Sequence, residues 1–190
     1  MIYFHRFMKQ KIYFATINEG KLSEAKGILG IEVIGTPLNI PEIQSLDPIE
    51  VAVAKAQGYY KILKKSIFVE DVSLVINHLN GLPGPYIDAF MKSLGNEGII
   101  ALLKGIENRT AFAQTTVVYI QSATKYEIFI GKVNGSIAKK PMGDQGFGWD
   151  PIFIPKKETR TFAQMTQEEK EKYSMRAIAL RKLKKYLNSK

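Results

Sequence analysis

Hydrophobic and polar positions in the first part of the chain predict strands that alternate with a helix. Residues 12–15 form a short apolar run typical of a strand, and residues 31–34 form another. Between them, apolar side chains recur at the spacing of one helix face, namely Leu22, Ala25, Ile28 and Leu29. Gly30 stands where a glycine commonly ends a helix. The pattern therefore predicts a strand, a helix and a second strand in this order.

The next helix has a clear start signal. Asp47 is a capping residue, Pro48 stands at the first helical position, and Glu50 is placed to complete a capping box. We predict that this helix runs to about Lys65.

Two adjacent carboxylates, Glu70 and Asp71, follow the strand formers of residues 66–69, and a further short apolar run follows at 74–76. Side chains alternate along an extended chain, so we expect the two carboxylates to point to opposite faces. Acids at the carboxyl end of a buried strand in an α/β protein lie where ligands usually bind. A strand that enters a solvated turn would show the same pair, so the pair gains meaning only from the rest of the chain.

The middle of the chain predicts helices followed by a β-hairpin. Residues 87–94 and 97–104 have helical patterns, with Asn96 as a cap for the second helix. Residues 110–121 and 126–133 are rich in strand formers and are separated by a short polar turn, which is typical of a hairpin.

The last part of the chain predicts two helices. Thr166 and Glu169 make a capping box for a short helix through Lys172, and Ser174 starts a terminal helix. The apolar stripe of that helix consists of Leu180, Leu183 and Leu187. These patterns alone predict an α/β protein with a β-hairpin region.

The domain organisation is predicted to be simple. Residues 1–10 are interpreted as an N-terminal extension and residues 11–190 as a single domain. Met8-Lys9-Gln10 stands directly before the first strand, so either Met8 is the natural initiator or residues 1–7 form a loose arm.

The composition is that of a globular protein, with 45% hydrophobic and 11% aromatic residues. The absence of cysteine excludes disulfides, thiolate metal sites and cysteine nucleophiles, and two histidines argue against histidine chemistry. Carboxylates and lysines must therefore carry any catalysis. No apolar run approaches the ~20 residues that span a bilayer. No secretory signal is recognisable either, so we expect a cytoplasmic protein.

A formal net charge of +9 indicates an anionic partner. Nucleic acid, an acidic membrane surface and phosphorylated small molecules all qualify. The turn between the first strand and the first helix is a candidate anion site, because free N–H groups and the helix dipole face outward there. Thr16 and Asn18 are also ordinary capping residues, and Lys21 is mildly unfavourable for the dipole, which hints at a ligand. Both interpretations stay open.

Five segments give these positions a common context. They are Thr16-x-Asn18-x-x-Lys21, Pro41-Glu42 with Lys55, Glu70-Asp71 with Gly81-Leu-Pro-Gly-Pro-Tyr86, Phe147-Gly148-Trp149-Asp150-Pro151, and Thr161-Phe162-Ala163 through Glu169-Lys170 to Ser174-x-Arg176. Taken together, and in this order, they resemble the inosine triphosphate pyrophosphatase family, which hydrolyses deaminated purine nucleoside triphosphates. Each segment is weak alone, but the resemblance covers about residues 11–187.

The resemblance implies an elongated central mixed β-sheet flanked by helices, with two lobes and an active-site cleft between them, and a homodimer. It also implies hydrolysis of ITP, dITP and XTP to the monophosphate and pyrophosphate, by attack at the α-phosphorus. The expected cofactor is Mg²⁺, which prefers one or two carboxylates together with phosphate oxygens and water. Glu42 and Asp71, with Glu70 adjacent, are the implied metal ligands, and Asp71 is the implied catalytic residue.

The remaining implied roles concern the substrate. We expect Lys21, Lys55 and Lys170 to clamp the triphosphate, with Thr16, Asn18 and nearby amides completing the cradle. The implied base-binding residues are Phe147, Gly148, Trp149, Asp150 and Arg176. An aromatic face stacks on a purine at ~1–3 kcal/mol per base. A carboxylate that accepts the N1–H of a 6-oxo purine, opposite a donor to its oxygen, would reject adenine.

Two positions depart from the family. Met175 stands where the family usually has histidine between Ser174 and Arg176, and a thioether cannot donate the hydrogen bond that an imidazole can. The departure bears on the preference among ITP, XTP, dITP and GTP. Gln164 replaces a commonly acidic residue and is the lesser departure.

Two other functions are alternatives to hydrolysis of deaminated purine nucleotides. A basic nucleic-acid-binding protein would lay the lysine-rich terminal helix on phosphates. The acids Glu42, Glu70 and Asp71 argue against a phosphate-coated surface near them, so nucleic acid is not the expected partner. A pyrophosphatase for modified pyrimidine nucleotides is a second alternative, which substrate profiling separates. The P-loop pattern is absent, which excludes a P-loop NTPase.

Overall fold

The computed structural model of the protein describes residues 11–36, 38 and 40–190. The interpretation of residues 1–10 as an extension, and of Met8 as an initiator, lies outside the described residues. The described residues form one mixed sheet with the strand order β2-β1-β3-β5-β6-β7, and β4 pairs with β3. The strands are β1 Lys11–Phe14, β2 Glu32–Gly35, β3 Ile67–Ile76, β4 Pro83–Gly84, β5 Thr110–Ser122, β6 Lys125–Ile137 and β7 Phe153–Pro155.

Helices cover both faces of this sheet. They are α1 Glu19–Leu29, α2 Pro48–Leu63, α3 Ile87–Ala101, α4 Gln167–Tyr173 and α5 Met175–Asn188. α1 and α5 pack on one face around the stacked rings of Phe14 and Phe68, whose centroids are 4.2 Å apart. α2 packs on the other face, around Val69 and Val118. A third cluster joins α3 to Trp149, Phe153 and Phe162.

The hydrophobic pattern located most elements correctly. α1 begins at the cap Asn18 and ends at Gly30, and β5 and β6 form the predicted hairpin. The capping box of Thr166 and Glu169 is confirmed. The predicted mixed sheet with flanking helices is also confirmed, and a cleft opens beside it. No helix formed by the described residues is long and apolar enough to cross a membrane.

The prediction that the third strand ends at its two carboxylates is wrong. β3 continues through Glu70 and Asp71 to Ile76, and its pairing with β5 is uninterrupted. The parallel partner β1, by contrast, pairs only with Ile67 and Phe68. The carboxylates therefore lie just beyond the end of the parallel strand pair, in the middle of a longer antiparallel one.

Two capping predictions are also wrong. Glu50 does not complete a capping box with Asp47, because its carboxylate accepts a hydrogen bond from the Ser45 hydroxyl (2.7 Å). Asn96 does not cap a helix, because its amide nitrogen donates to the Gly148 carbonyl (3.1 Å). The helix break itself is real, since Gly95 interrupts α3 with a φ of 64°.

Candidate active site

A cleft of about 380 Å³ opens beside the middle of β3. Its walls include the first turns of α1, α3 and α5, so three helix N-termini, the positive ends of helix dipoles, border it. The predicted site residues that line it are Asn18, Lys21, Glu42, Lys55, Glu70, Asp71, Phe147, Gly148, Trp149, Asp150, Lys170 and Arg176. The structure therefore brings together residues from all five sequence segments.

Thr16 is the predicted residue that does not line the cleft. Its hydroxyl oxygen accepts a hydrogen bond from the Asn18 backbone N–H (3.2 Å). The Asn18 side chain in turn accepts from the backbone N–H of Lys21 (3.0 Å). Thr16 and Asn18 thus shape the turn that begins α1, and Lys21 is the side chain that extends from it into the cleft.

Glu70 is buried between two cationic side chains on the face of β3 that packs against α1 and α5. Arg176 donates to both of its carboxylate oxygens (2.8 and 3.0 Å), and the Lys21 ammonium lies 2.9 Å from one of them. Burial alone would raise the pKa of Glu70, but Arg176 and Lys21 outweigh it and lower that pKa to about 2. Glu70 is therefore ionised throughout the physiological range.

Arg176 depends on a close approach between α5 and the sheet. A side-chain carbon at Gly131 on β6 would overlap the Met175 carbonyl oxygen, so only glycine lets the first turn of α5 lie this near. Besides Glu70, Arg176 donates to the Glu24 carboxylate (2.6 Å). Burial opposes the charge of Arg176, but Glu70 and Glu24 raise its pKa above the ordinary value.

Asp71 lies on the opposite face of β3, as the alternation of side chains predicted. Burial raises the pKa of Asp71 to about 7, although the nearby Lys55 ammonium lowers it. The Glu42 carboxylate raises it further, and the Ser73 hydroxyl donates a single long hydrogen bond to it (3.4 Å). Asp71 is therefore the carboxylate of this pair that can exchange a proton near neutral pH.

Glu42 and Lys55 form an ion pair next to Asp71. The side chain of Glu42 is half exposed, so this pair borders the open side of the cleft. Within the described part of the chain, no three His, Asp or Glu side chains gather closely enough to hold a metal ion by themselves. Any metal here would therefore take most of its ligands from a substrate and from water.

The turn at residues 147–150 forms the other end of the cleft. The Asp150 carboxylate accepts from the backbone N–H of Phe147 (2.9 Å) and from the Lys170 ammonium (2.7 Å), both through Oδ2. The Phe147 ring is half-buried, with the Lys170 ammonium 4.9 Å and the Arg176 guanidinium 5.2 Å from its centroid. Trp149 is only 8% exposed and packs edge-on against Phe153. Phe147 is therefore the more accessible ring.

Lys170, the third lysine predicted to clamp the triphosphate, lies beside the aromatic turn. It is buried, and besides Asp150 it contacts the Glu24 carboxylate at 3.4 Å. Lys21 and Lys55, in contrast, border the carboxylates of β3. Each of the three predicted lysines is thus paired with a carboxylate, and Lys170 is the one paired with Asp150 of the aromatic turn.

Two side chains that position this site, Glu24 and Asn96, were not predicted from the sequence to belong to it. Glu24 is buried on α1, where it joins Lys170 to Arg176, and the only signal was an acid next to the apolar stripe of that helix. Asn96 holds the Gly148 carbonyl, and its helical context suggested a cap instead. Met175, the departure noted in the sequence, is buried and also lines the cleft.

The chain is thus an α/β protein with one cleft that is lined by cations, by carboxylates and by the aromatic turn at residues 147–150. The chain belongs to the Ham1 family, whose model matches residues 12–186. A dITP/XTP pyrophosphatase of Methanopyrus kandleri is 46% identical over 173 residues, which cover 90% of this chain and 92% of that protein. An inosine triphosphate pyrophosphatase of Kluyveromyces lactis is 39% identical over 188 residues, covering 94% and 96%.

Solved structures agree with these relatives. The structure of a HAM1 protein from Coxiella burnetii superposes with a TM-score of 0.83 at 27% identity, covering 95% of this chain and 99% of that one. The Staphylococcus aureus Ham1 protein gives a TM-score of 0.80 at 28% identity, with the same coverage. The predicted family is therefore confirmed by sequence and by fold.

Proposed function

We propose that this protein hydrolyses the deaminated purine nucleotides ITP, dITP and XTP to the monophosphate and pyrophosphate, with Mg²⁺ as cofactor. The observation that carries the proposal is that one cleft joins a buried carboxylate of raised pKa, Asp71, to the ion-paired lysines Lys21 and Lys55 and to an aromatic turn. The names of the relatives, dITP/XTP pyrophosphatase and inosine triphosphate pyrophosphatase, support the same activity.

The donor set on the α2 side of β3 fits a divalent cation. Asp71 and Glu42 lie near enough for the Glu42 charge to raise the pKa of Asp71. Glu42 is paired with Lys55 at the exposed side of the cleft, so a divalent cation would have to replace only this one ammonium. Two carboxylates with room for phosphate oxygens and water match the preference of Mg²⁺. When bound, the ion would neutralise charge on the triphosphate. Asp71 and Glu42 are thus the proposed ligands.

Glu70, the third ligand implied by the family resemblance, fits a metal poorly. Both of its oxygens accept hydrogen bonds from Arg176, and one of them also meets Lys21. A metal ligand at this position would have to displace these buried cations. The proposed role of Glu70 is therefore to orient Arg176 and Lys21.

The phosphate end of the cleft determines where the substrate reacts. Lys21 and Lys55 bind the triphosphate, assisted by the first backbone amides of α1. Asp71 accepts the proton of the water that attacks the α-phosphorus, because it is the carboxylate beside which that water would lie. The bond between the α-phosphorus and the bridging oxygen then breaks, and pyrophosphate leaves with its charge stabilised by the lysines.

The aromatic turn binds the base. The accessible face of Phe147 stacks on the purine, and Lys170 and Arg176 are placed beside that ring to donate to the 6-oxo group. Asp150 is the acceptor for N1–H in this arrangement. Adenine presents an acceptor at N1 and a donor at the 6-position, so its hydrogen-bonding edge would meet Asp150 and the two cations with the wrong polarity.

Hydrolysis of ITP in ¹⁸O-labelled water tests the proposal. The expected products are pyrophosphate and IMP, with the label in IMP, since attack at the α-phosphorus places the new oxygen there. Chelation should abolish turnover, and Mg²⁺ should restore it. Label in pyrophosphate would place the attack at another phosphorus. Turnover of modified pyrimidine nucleotides but not of ITP or XTP would favour the pyrimidine alternative.

The assembly and location of the protein complete the proposal. The family resemblance supports a homodimer, which the sedimentation coefficient would test. A nucleotide-pool enzyme acts where nucleotides are made and used, which supports the cytoplasm.

A further inference from the structure

The cleft does not account for the positive charge of the chain. The cations in and around it are Lys21, Lys55, Lys170 and Arg176. The carboxylates there are Glu24, Glu42, Glu70, Asp71, Asp88 and Asp150. Acids thus outnumber bases at the cleft, although the chain has 27 Lys and Arg against 18 Asp and Glu. The excess positive charge must lie elsewhere.

Much of it lies at the other end of the sheet. We define the basal surface by the exposed lysines there, namely Lys11, Lys26, Lys61, Lys64, Lys65, Lys125 and Lys185. The strand register brings three of them, Lys11, Lys65 and Lys125, to the same end of the sheet. Tyr13 pairs with Ile67, so Lys11 and Lys65 stand at matching positions two residues earlier. The next strand pair reaches this level at Ser122, which pairs with Lys125.

The other basal lysines lie at the C-terminal ends of helices. Lys26 is in the last turn of α1, Lys61 and Lys64 are at the end of α2, and Lys185 is near the end of α5. Because α1 runs from the cleft to this end with 11 residues, the two surfaces are about 16 Å apart. The basal surface is therefore outside the cleft.

Helix dipoles explain only part of this charge. Each helix C-terminus carries about half a negative charge, which a nearby lysine offsets. Lys184 does this directly, since its ammonium donates to the Ile28 carbonyl at the end of α1 (2.9 Å). Three helix ends and the two basal acids, Glu32 and Glu127, still leave the lysines in excess. The surplus is available to an external anion.

Aromatic rings are interspersed among the basal lysines. The Lys65 ammonium lies 5.3 Å from the centroid of the Tyr13 ring, and Lys64 lies 6.0 Å from that of Tyr60. Tyr126, next to Lys125, is 37% exposed. Proteins that bind single-stranded nucleic acids combine aromatic rings with cations in this way. The bases stack on the rings, and the phosphate backbone lies along the positive charges.

We propose that the basal surface binds single-stranded nucleic acid, with phosphates on the lysines and bases against the tyrosines. This differs from the expectation that nucleic acid is not a partner, and it uses another surface than the terminal helix considered in the sequence. On that helix Lys182 and Lys184 are bound to the carbonyls of Ile130 and Ile28. Binding here leaves the cleft open, so hydrolysis of ITP proceeds on the nucleic-acid-bound protein.

Fluorescence anisotropy with labelled oligo(dT) and oligo(U), over a series of salt concentrations, tests the proposal. A protein that neutralises about four phosphates should give a slope of log K against log salt of about −3 for a single strand. In the triple variant Lys61→Gln, Lys64→Gln and Lys65→Gln we expect at least tenfold weaker binding and a slope smaller by about 2.

The matched control removes the same charge at the far end of the sheet. It is the triple variant Lys139→Gln, Lys140→Gln and Lys156→Gln, whose lysines are also exposed. Its affinity should stay within about twofold of wild type, and both variants should hydrolyse ITP at the wild-type rate. Comparison of oligo(dT) with oligo(U) distinguishes DNA from RNA as the source of the strand.

Three results would overturn the proposal. The first is no binding of either oligonucleotide at low salt. The second is an equal loss in both triple variants, which would assign binding to net charge. The third is binding to vesicles rich in phosphatidylserine without binding to oligonucleotides, which would make the basal surface a membrane contact.

Discussion

Glu70 and Asp71 are neighbours in sequence, yet the two faces of β3 give them opposite chemistry. Glu70 meets two cations and has its pKa lowered to about 2, whereas Asp71 is buried beside Glu42 and has its pKa raised to about 7. Both line the same cleft. Burial raises the pKa of both carboxylates, and the two cations beside Glu70 overcome it there, so Glu70 stays charged while Asp71 exchanges a proton.

Removal of the exchangeable carboxylate should have the largest effect. We expect Asp71→Asn to lower kcat for ITP by 10²–10⁴, the usual contribution of a general base, because an amide cannot accept the proton. The matched control is Asp88→Asn, since Asp88 also lines the cleft but its side chain is 79% exposed. Rates of pyrophosphate release measure both. A kcat for Asp71→Asn within tenfold of wild type would contradict the role of Asp71.

Neutralisation of Glu70 should mainly lower the free energy of unfolding. We expect Glu70→Gln to lower the free energy of unfolding by about 3–5 kcal/mol, because Arg176 would keep a buried charge with only Glu24 as partner. Urea unfolding at neutral pH measures the loss. Glu24→Gln is the comparison, and its loss should be smaller because Glu70 would still bind Arg176 through both oxygens. Equal losses would mean that the two acids share the charge evenly.

The pH dependence of stability should separate the two residues in the metal-free protein. The raised pKa of Asp71 means that the folded state binds more protons than the unfolded state between about pH 4 and 7, so stability falls as the pH rises through that range. The lowered pKa of Glu70 has the opposite sign, and its contribution is lost as the pH falls from about 5 toward 2. Stability should therefore be greatest near pH 4–5.

Unfolding in urea, in the presence of a chelator, measures this profile. In Asp71→Asn the decline toward neutral pH should largely disappear, and the inactive variant should be more stable than wild type at pH 7. Wild-type stability that rises steadily from pH 4 to 7 would show that Asp71 ionises like an ordinary carboxylate.

The smallest effect is expected at Met175. This side chain is buried beside Arg176, so Met175→His should leave kcat for ITP within a few-fold and sharpen the preference for ITP over GTP. The ratio of kcat/KM for the two nucleotides measures it. An unchanged ratio would remove the hydrogen-bonding explanation for this departure from the family.

Local signals predicted much of the fold because they depend on neighbouring residues. The cap at Asn18, the capping box at Thr166 and the break at Gly95 were all visible as short patterns. The end of β3 was not, because charged residues normally mark the edge of a strand. Glu70 stays inside the strand because Arg176, which is 106 positions away in sequence, compensates its charge.

The candidate site was predictable mainly where the family resemblance supplied it. Its members come from five distant segments, and nothing in the local pattern gives the distance between them. Glu24 shows the limit, because its role depends on Arg176, which is 152 positions away. The pairing of Lys170 with Asp150 and Glu24 likewise follows from the packing of α4, which no sequence spacing determines.

The uninterrupted register of β3 against β5 has a consequence for how this gene can change. The ten residues of β3 pair one to one with β5, without a bulge that could absorb an extra residue. A one-codon insertion or deletion ahead of Glu70 would turn each carboxylate toward the opposite face. A deletion would put Asp71 at the position that faces Arg176, and an insertion would put Glu70 at the position beside Lys55. In natural variation, this segment should therefore accept substitutions but no change of length.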